Sequence, residues 1–296
     1  MIDKTLPLKK IKSYFDLFVL SLNNNSPDTK GTYERALREF FRWNDCNINF
    51  TFSVKEIEKY KSYLTKKKKL APVSISTYLT SLRGFCNFLI SHKVLSTNPA
   101  KNVKGNYRKP QHSRATLNFK EVEKLFSVVQ LNTEGGFRDF AILNLMSISG
   151  LTEIEIVRAN VKDLKIRKNK SAILYVQGKR EKSKSRFVEL QKIEIDSIRN
   201  YLAFRFNPIP DEALFQTAGN RMNGKRMSTR GIRERVTHYL NKSGLLSTKK
   251  KISPFSLRHF AISKMVANGN TIEKIKSKFN IVTKATAMIY FNQQEK

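Results

Sequence analysis

Two stretches of this 296-residue chain concentrate the side chains best suited to hold phosphate. Gly178-Lys179-Arg180-Glu181-Lys182-Ser183-Lys184-Ser185-Arg186 lies between two β-rich runs, 171–176 and 187–190. The basic stretch 221–228, with Arg221 and Arg226, leads into a helical run from Thr229 past Val236 to Leu240, with Arg230, Arg233 and Arg235 around its first two turns. A basic turn suits phosphate contact. A helix capped by Ser228 adds its dipole to the guanidinium forks, which together read phosphates and base edges in one groove. Metal and thiol chemistry find no such support. Cys46 and Cys86 have no Cys or His partner at zinc-ligand spacing, and both sit beside aromatic residues, as small core hydrophobes do. His92, His112, His238 and His259 are scattered. The chain is therefore expected to use neither metal nor cofactor.

Charge names the partner class. Lys and Arg total 56 against 24 Asp and Glu, a formal net charge of +32. So large an excess costs self-repulsion in the compact state, and binding to phosphates with release of counterions offsets it. No stretch approaches the roughly 18 uninterrupted apolar residues that span a bilayer. Met1 is followed by Ile2-Asp3-Lys4, not by a basic and then apolar leader. A cytoplasmic, nucleoid-associated protein bound to double-stranded DNA is expected.

These groups need elements to position them, and the length suggests two domains. Ile11, Tyr14, Phe15, Phe18 and Val19 recur at helical spacing. Ser26 caps a second helix with Pro27 at its first position, and there Tyr33, Leu37, Phe40 and Phe41 share a face from which Lys30, Arg35, Arg38 and Arg42 point away. A third helix after Ser53 carries Ile57, Tyr60, Tyr63 and Leu64, and a fourth, from Pro72-Val73-Ser74, carries Ile75, Tyr78, Leu82, Phe85 and Leu89. Prolines, glycine and positive charge then gather between Asn98 and Pro110, marking a linker.

Ser253-Pro254-Phe255-Ser256-Leu257-Arg258-His259-Phe260-Ala261, followed by Ala287-Met288-Ile289-Tyr290, resembles the signature of the tyrosine recombinases, or phage integrases, in which His-x-x-Arg precedes a nucleophilic Tyr. The stretch from Ser26 through Tyr33 to Phe40, the segment 70–85 and Asn98-Pro99-Ala100 resemble, in order, the hallmarks of the family's N-terminal domain; Thr116 to Leu125 resembles the first helix of its second domain. The resemblance implies a mainly α (α+β) fold: a helical core-binding (SAM-like) DNA-binding domain over 1–104, a linker over 105–114, and over 115–296 a mixed α/β integrase-like domain with a small β-sheet. It implies a clamp around duplex DNA, with contacts from Lys30, Arg35, Arg38, Ser74, Thr77, Tyr78, Arg83, Lys179, Arg180, Lys182, Arg221, Arg226, Arg230, Arg233 and Arg258.

The catalytic positions of the family are only half filled. Gly150-Leu151-Thr152-Glu153-Ile154-Glu155-Ile156 matches Gly-Leu-Arg-x-x-Glu, with Thr152 where the phosphate-clamping Arg belongs. Phe255 stands in the His position and can neither donate to a phosphate oxygen nor move a proton. The Leu-Gly-His motif aligns with Phe279-Asn280-Ile281 or with Lys278-Phe279-Asn280, neither of which supplies a histidine. Lys179, Arg258 and Tyr290 remain. Arg158 lies six positions after Thr152, roughly 240° around a helix, and is expected to point away. Losing one positioned donor typically costs about 100- to 1,000-fold in rate, so the vestigial pocket of Thr152, Lys179, Phe255, Arg258, Asn280 and Tyr290 is expected to be inactive. The six residues after Tyr290 also suggest a monomer or weak dimer rather than a tetramer. The expected protein is a sequence-specific DNA binder without recombinase activity: a transcriptional repressor of a phage or mobile element controlling lysogeny, similar to the master repressors of SPβ-type prophages. The alternatives are a divergent active recombinase cutting through Tyr290 and an accessory architectural factor for recombination.

Overall fold

The protein is described by a computed structural model over residues 8–24, 27–44, 52–105, 115–179, 181–205, 207–218 and 224–292. Ser26, Cys46, His112, Arg180, Arg221 and most of the linker fall outside these residues. The chain divides into two compact units, 1–109 and 110–296.

Every regular element among the described residues of the first unit is a helix. Helices α1 (Leu8–Ser21), α2 (Pro27–Asn44), α3 (Val54–Ser62) and α4 (Pro72–Ser91) follow the apolar periodicity, with Pro27 and Pro72 opening their helices where a missing N–H costs nothing. Ser53 caps α3 by accepting from the Glu56 amide at 3.3 Å. Ile11, Phe18, Leu37, Phe40, Tyr60 and Phe85 are buried in one core. Aromatic edges lock the helices together, Phe40 on Tyr60 at 5.0 Å and Phe18 on Phe85 at 5.5 Å. Past α3 the chain widens into a π-helical turn, Tyr63–Lys67. Glu39 of α2 anchors the end of that turn, accepting from the Tyr63 hydroxyl at 3.0 Å and pairing with Lys68 at 2.9 Å.

The second unit surrounds one buried helix. It comprises α5 (Phe119–Ser127), α6 (Glu134–Ser147), α7 (Glu153–Arg158), strands β1 (Leu164–Ile166), β2 (Ala172–Val176) and β3 (Arg186–Leu190), then α8 (Lys192–Leu202), α9 (Thr229–Lys242), α10 (Phe255–Ala267), α11 (Ile272–Lys278) and α12 (Lys284–Phe291). The strands form an antiparallel sheet in the order β1-β2-β3, with Leu174 opposite Val188 and Val176 opposite Arg186. Ten residues of α6 are buried, because α5, α8, α9 and α10 all pack on it. The mainly α fold with a small sheet is as expected. No helix among the described residues is long and apolar enough to cross a membrane.

Carboxyl groups are buried in this core. Asp139 of α6 accepts from Arg138 through Oδ1 at 2.7 and 2.9 Å and, through Oδ2, from Arg235 at 2.7 Å and the Tyr239 hydroxyl at 3.1 Å. Arg235 therefore faces inward and ties α9 to α6, correcting its expected place beside Arg230 and Arg233.

Glu194 of α8 is fully buried, and its Oε1 and the Ser149 hydroxyl lack a well-formed hydrogen bond. Burial pushes this carboxyl up to about 7, with Ser149 and the Gln191 amide drawing it partway back. A carboxyl raised in the folded state binds its proton there while the unfolded chain releases it, so stability falls from the ordinary carboxylate range up to about pH 7 and then levels. Glu194→Gln keeps an acceptor for the Gln191 amide and carries no charge. It should be more stable than the native chain at pH 8 by about 3 kcal/mol at most, with the gap closing near pH 4, as read by urea unfolding at both pH values.

Candidate active site

Arg258 sits one turn into α10, only 9% exposed. Its guanidinium donates to the Gly150 carbonyl at 2.6 Å and to the Phe279 carbonyl, and Glu155 Oε2 stands 3.8 Å away. Glycine is required at 150. Its φ is +64°, and a Cβ there would meet the Phe279 ring at 2.5 Å. The Gly-Leu turn thus offers a carbonyl to Arg258 while leaving room for the ring below it.

Thr152 is the N-cap of α7, and both its amide (2.8 Å) and its hydroxyl (2.7 Å) donate to Glu155 Oε2. The hydroxyl is occupied within the turn. A guanidinium nevertheless enters from another element: Arg186, the first residue of β3, pairs with Glu155 Oε1 and donates to the Lys278 carbonyl at 3.3 Å. Its Nε is buried without a hydrogen-bond partner, 3.8 Å from Glu181 Oε1. Arg258 and Arg186 therefore flank one buried carboxylate, which holds two cationic forks in one place.

The turn after β2 carries Lys179, exposed in the bend. Bonds within the turn and from two other elements hold it. The Gly178 amide donates to Glu181 Oε2 at 2.5 Å, Arg158 donates to the Gly178 carbonyl at 2.6 Å, and the Asn280 amide donates to Glu181 Oε1 at 2.7 Å. Arg158, expected to point away, instead grips the turn beside Lys179. Asn280 has φ +49°, a left-handed value that suits glycine, which fixes the register as Phe279-Asn280-Ile281. Ile281 then occupies the family's His position and packs with Phe279 and Tyr290.

Tyr290 lies on α12, 2% exposed among Ala261, Ile262, Val266, Ile275 and Phe279. Its hydroxyl is 2.8 Å from His259 Nδ1. Burial pushes the phenol up to about 12, and the positive charge of Arg258 opposes the shift. Phe255 opens α10, 39% exposed, with its ring edge against His259 at 4.9 Å. The structure thus gathers Thr152, Arg258, Phe255, Asn280 and Tyr290 around α10 and fastens the Lys179 turn to the same region.

The expected DNA contacts divide. Lys30, Arg35 and Arg38 of α2 make exposed local bonds, to Asn23, Thr32 and Glu34, and the Arg38 guanidinium also lies over the Phe15 ring at 5.3 Å. Ser74, Thr77 and Tyr78 are half-buried on α4, Lys182 is exposed beside the Lys179 turn, and Arg230 and Arg233 pair with Glu234 (2.7 Å) and Glu153 (3.5 Å) near the start of α9. Two others serve the fold. Arg83 donates to the carbonyls of Ala100 (3.0 Å) and Val103 (3.1 Å), pinning the chain after α4. Arg226 donates to the Val157 (2.6 Å) and Ala159 (3.2 Å) carbonyls and to Asn160 (2.7 Å). Arg186, His259 and Glu181 were missed as site residues. Arg186 left a signal in its strand parity, since it shares the inward face of β3 with Val188 and Leu190.

Residues 115–296 match the phage integrase family, and residues 10–108 match the phage integrase SAM-like domain. Tyrosine recombinase XerC of Yersinia pestis is 30% identical over 269 residues, covering 90% of this chain and 84% of that protein. Tyrosine recombinase XerC of Chlamydia trachomatis is 27% identical over 276 residues, 92% of this chain and 78% of the relative. The solved structure of the XerH site-specific recombinase bound to its palindromic difH substrate, a post-cleavage complex, superposes with a TM-score of 0.75 at 18% identity, covering 96% of this chain and 82% of that one. The expectation of a repressor without recombinase chemistry does not survive these findings, because the relatives matched along nearly the whole chain are recombinases. That expectation counted charges by motif position and left out Arg186 of β3, whose guanidinium pairs with Glu155 on the other side from Arg258. With both of its domains matched in order and a relative 30% identical over most of both chains, the chain belongs to the phage integrase family.

Proposed function

We propose that the chain is a divergent tyrosine recombinase that cuts double-stranded DNA through Tyr290. The observation that carries this reading is that Tyr290 and Arg258 are both buried around α10 in a chain that matches the phage integrase family over both of its domains. Phosphoryl transfer asks little covalent work of a protein beyond its nucleophile; it depends on positioned charge around the transferring group. Arg258 and Arg186 supply guanidinium charge beside Glu155, and the pinned turn supplies the Lys179 ammonium. The Tyr290 oxygen attacks the phosphorus and stays bonded to the 3′ phosphate. The bond to the 5′ oxygen breaks, and Lys179 gives that oxygen its proton. Lys30, Arg35 and Arg38 on α2, Ser74, Thr77 and Tyr78 on α4, and Arg230 and Arg233 on α9 are the groups offered to the duplex. Of these, the phosphate contacts set affinity and the base contacts set sequence preference.

The test uses duplexes enriched from a random library by binding to the native protein, each nicked close to the 3′ side of the candidate scissile phosphate. A short released strand diffuses away and traps the covalent product. The expected result is a denaturant-resistant protein–DNA adduct whose linked peptide contains Tyr290. Tight duplex binding without any adduct across the enriched pool overturns the reading.

A further inference from the structure

We infer that His259 is the group that takes the proton of Tyr290 as the phenol attacks, a role the side chain at position 255 cannot perform. The inference rests on the recombinase reading above. His259 Nδ1 lies 2.8 Å from the Tyr290 hydroxyl, within direct proton-transfer distance, and both side chains are 2% exposed. The family's His position holds Phe255 here, and its ring packs edge-on to His259 at an interplanar angle of 81°. Residues 255 and 259 are one helical turn apart on the same face of α10. An imidazole absent from the first turn is therefore present on the second, already against the phenol, with Phe255 closing its outer side.

The pair also meets a chemical need. A buried phenol keeps its proton well above neutrality, so attack at pH 7 requires a base in contact with it. With the ring proton on Nε2, Nδ1 accepts the hydrogen bond from Tyr290 and then its proton. In the forward step the bond from the Tyr290 oxygen to phosphorus forms, the bond from phosphorus to the 5′ oxygen breaks, and the phenolic proton ends on His259 Nδ1. In the reverse step the protonated imidazole returns it to the phenolate as that leaves. Charged groups lie on the elements packed around the pair. Arg258 is next to His259 on α10 and is paired at 3.8 Å with Glu155 of α7. On α6, Arg138 and Asp139 pair with one another and Asp139 with Arg235. To this cluster α11 and the residue after it bring Ile275 and Phe279, and α12 brings the phenol itself.

The test compares the native protein with His259→Asn, whose Oδ1 can stand at the Nδ1 position and accept the hydrogen bond but not the proton. Single-turnover adduct formation on the nicked duplex is measured from pH 5 to 9, beside duplex affinity. The variant is expected to bind the duplex as the native protein does, to form the adduct about 100-fold more slowly or worse, and to lose the acid limb that the native imidazole produces. A duplex with sulfur in place of the 5′ bridging oxygen separates the two proton transfers. It should restore Lys179→Ala, whose leaving group then needs no proton, and leave His259→Asn slow. Adduct formation by His259→Asn at the native rate or faster overturns the inference, as does a slower variant that keeps the acid limb. If His259→Asn loses duplex binding through misfolding, His259→Gln is judged by the same two readouts. A native protein that forms no adduct defeats the recombinase reading, and the inference with it, before any variant is compared.

Discussion

Tyr290→Phe is expected to abolish the denaturant-resistant adduct while leaving duplex affinity unchanged. The substitution removes a single oxygen, and on the proposed mechanism that oxygen is the nucleophile. The fold should tolerate the loss. The hydroxyl bonds His259 Nδ1 at 2.8 Å, and leaving a buried acceptor unsatisfied costs about 1–3 kcal/mol. A domain of this size has about 5–15 kcal/mol in reserve. The ring continues to pack with Phe279, Ile275 and Ala261. Affinity measured by gel shift should therefore match the native value, and the covalent band in denaturing gels should vanish. An adduct that persists in Tyr290→Phe assigns the nucleophile to another residue and removes α12 from the chemistry.

Which parts of this site could be read before the fold was known follows from how local each signal is. Pro27 and Ser53 announce α2 and α3 because a helix start depends on a few neighbouring residues. The hairpin of β2 and β3 shows as two β-rich runs around a basic turn, whereas β1, only three residues long, carries no alternation to read. Lys179, Arg258 and Tyr290 were legible through motif spacing. Arg186 and His259 were not, because what makes them part of the site is contact across the fold. Arg186 meets Glu155 31 positions away in the chain, and His259 meets Tyr290 at the same separation. The opposite error has the same cause. Arg83 and Arg226 look like free cations in the sequence, yet their partners are backbone carbonyls that tertiary packing brings to them. A count of charges along a motif cannot distinguish an arginine that serves the fold from one that serves a phosphate.

Arg258→Gln tests that distinction at an arginine whose position suits both roles. Its guanidinium is bonded to the Gly150 and Phe279 carbonyls, and it stands 3.8 Å from Glu155. Removing the charge leaves Glu155 with Arg186 and Thr152, so the carboxylate is weakened in its pairing but not abandoned. Breaking a buried pair from one side costs about 3–5 kcal/mol, and the remaining partner places this site near the lower end, about 3 kcal/mol. For a unit of this size that lowers the melting temperature by about 6–12 °C. The chemical loss should be larger than the structural one. Arg258 opposes the upward shift of the Tyr290 phenol, so its removal makes the nucleophile harder to ionise as well as removing a donor to the phosphate. Each effect acts on the transition state, and together they should slow adduct formation by at least about 100-fold at a temperature where the variant is fully folded. Arg258→Lys keeps the charge but cannot span two carbonyls with one planar fork, so it should recover part of the rate and little of the stability. If Arg258→Gln melts as expected yet forms the adduct within about tenfold of the native rate, a smaller loss than removing one transition-state donor brings, then Arg258 belongs to the scaffold. The phosphate clamp would then rest on Arg186 and Lys179, a pairing that Arg186→Gln would expose by losing the adduct in turn.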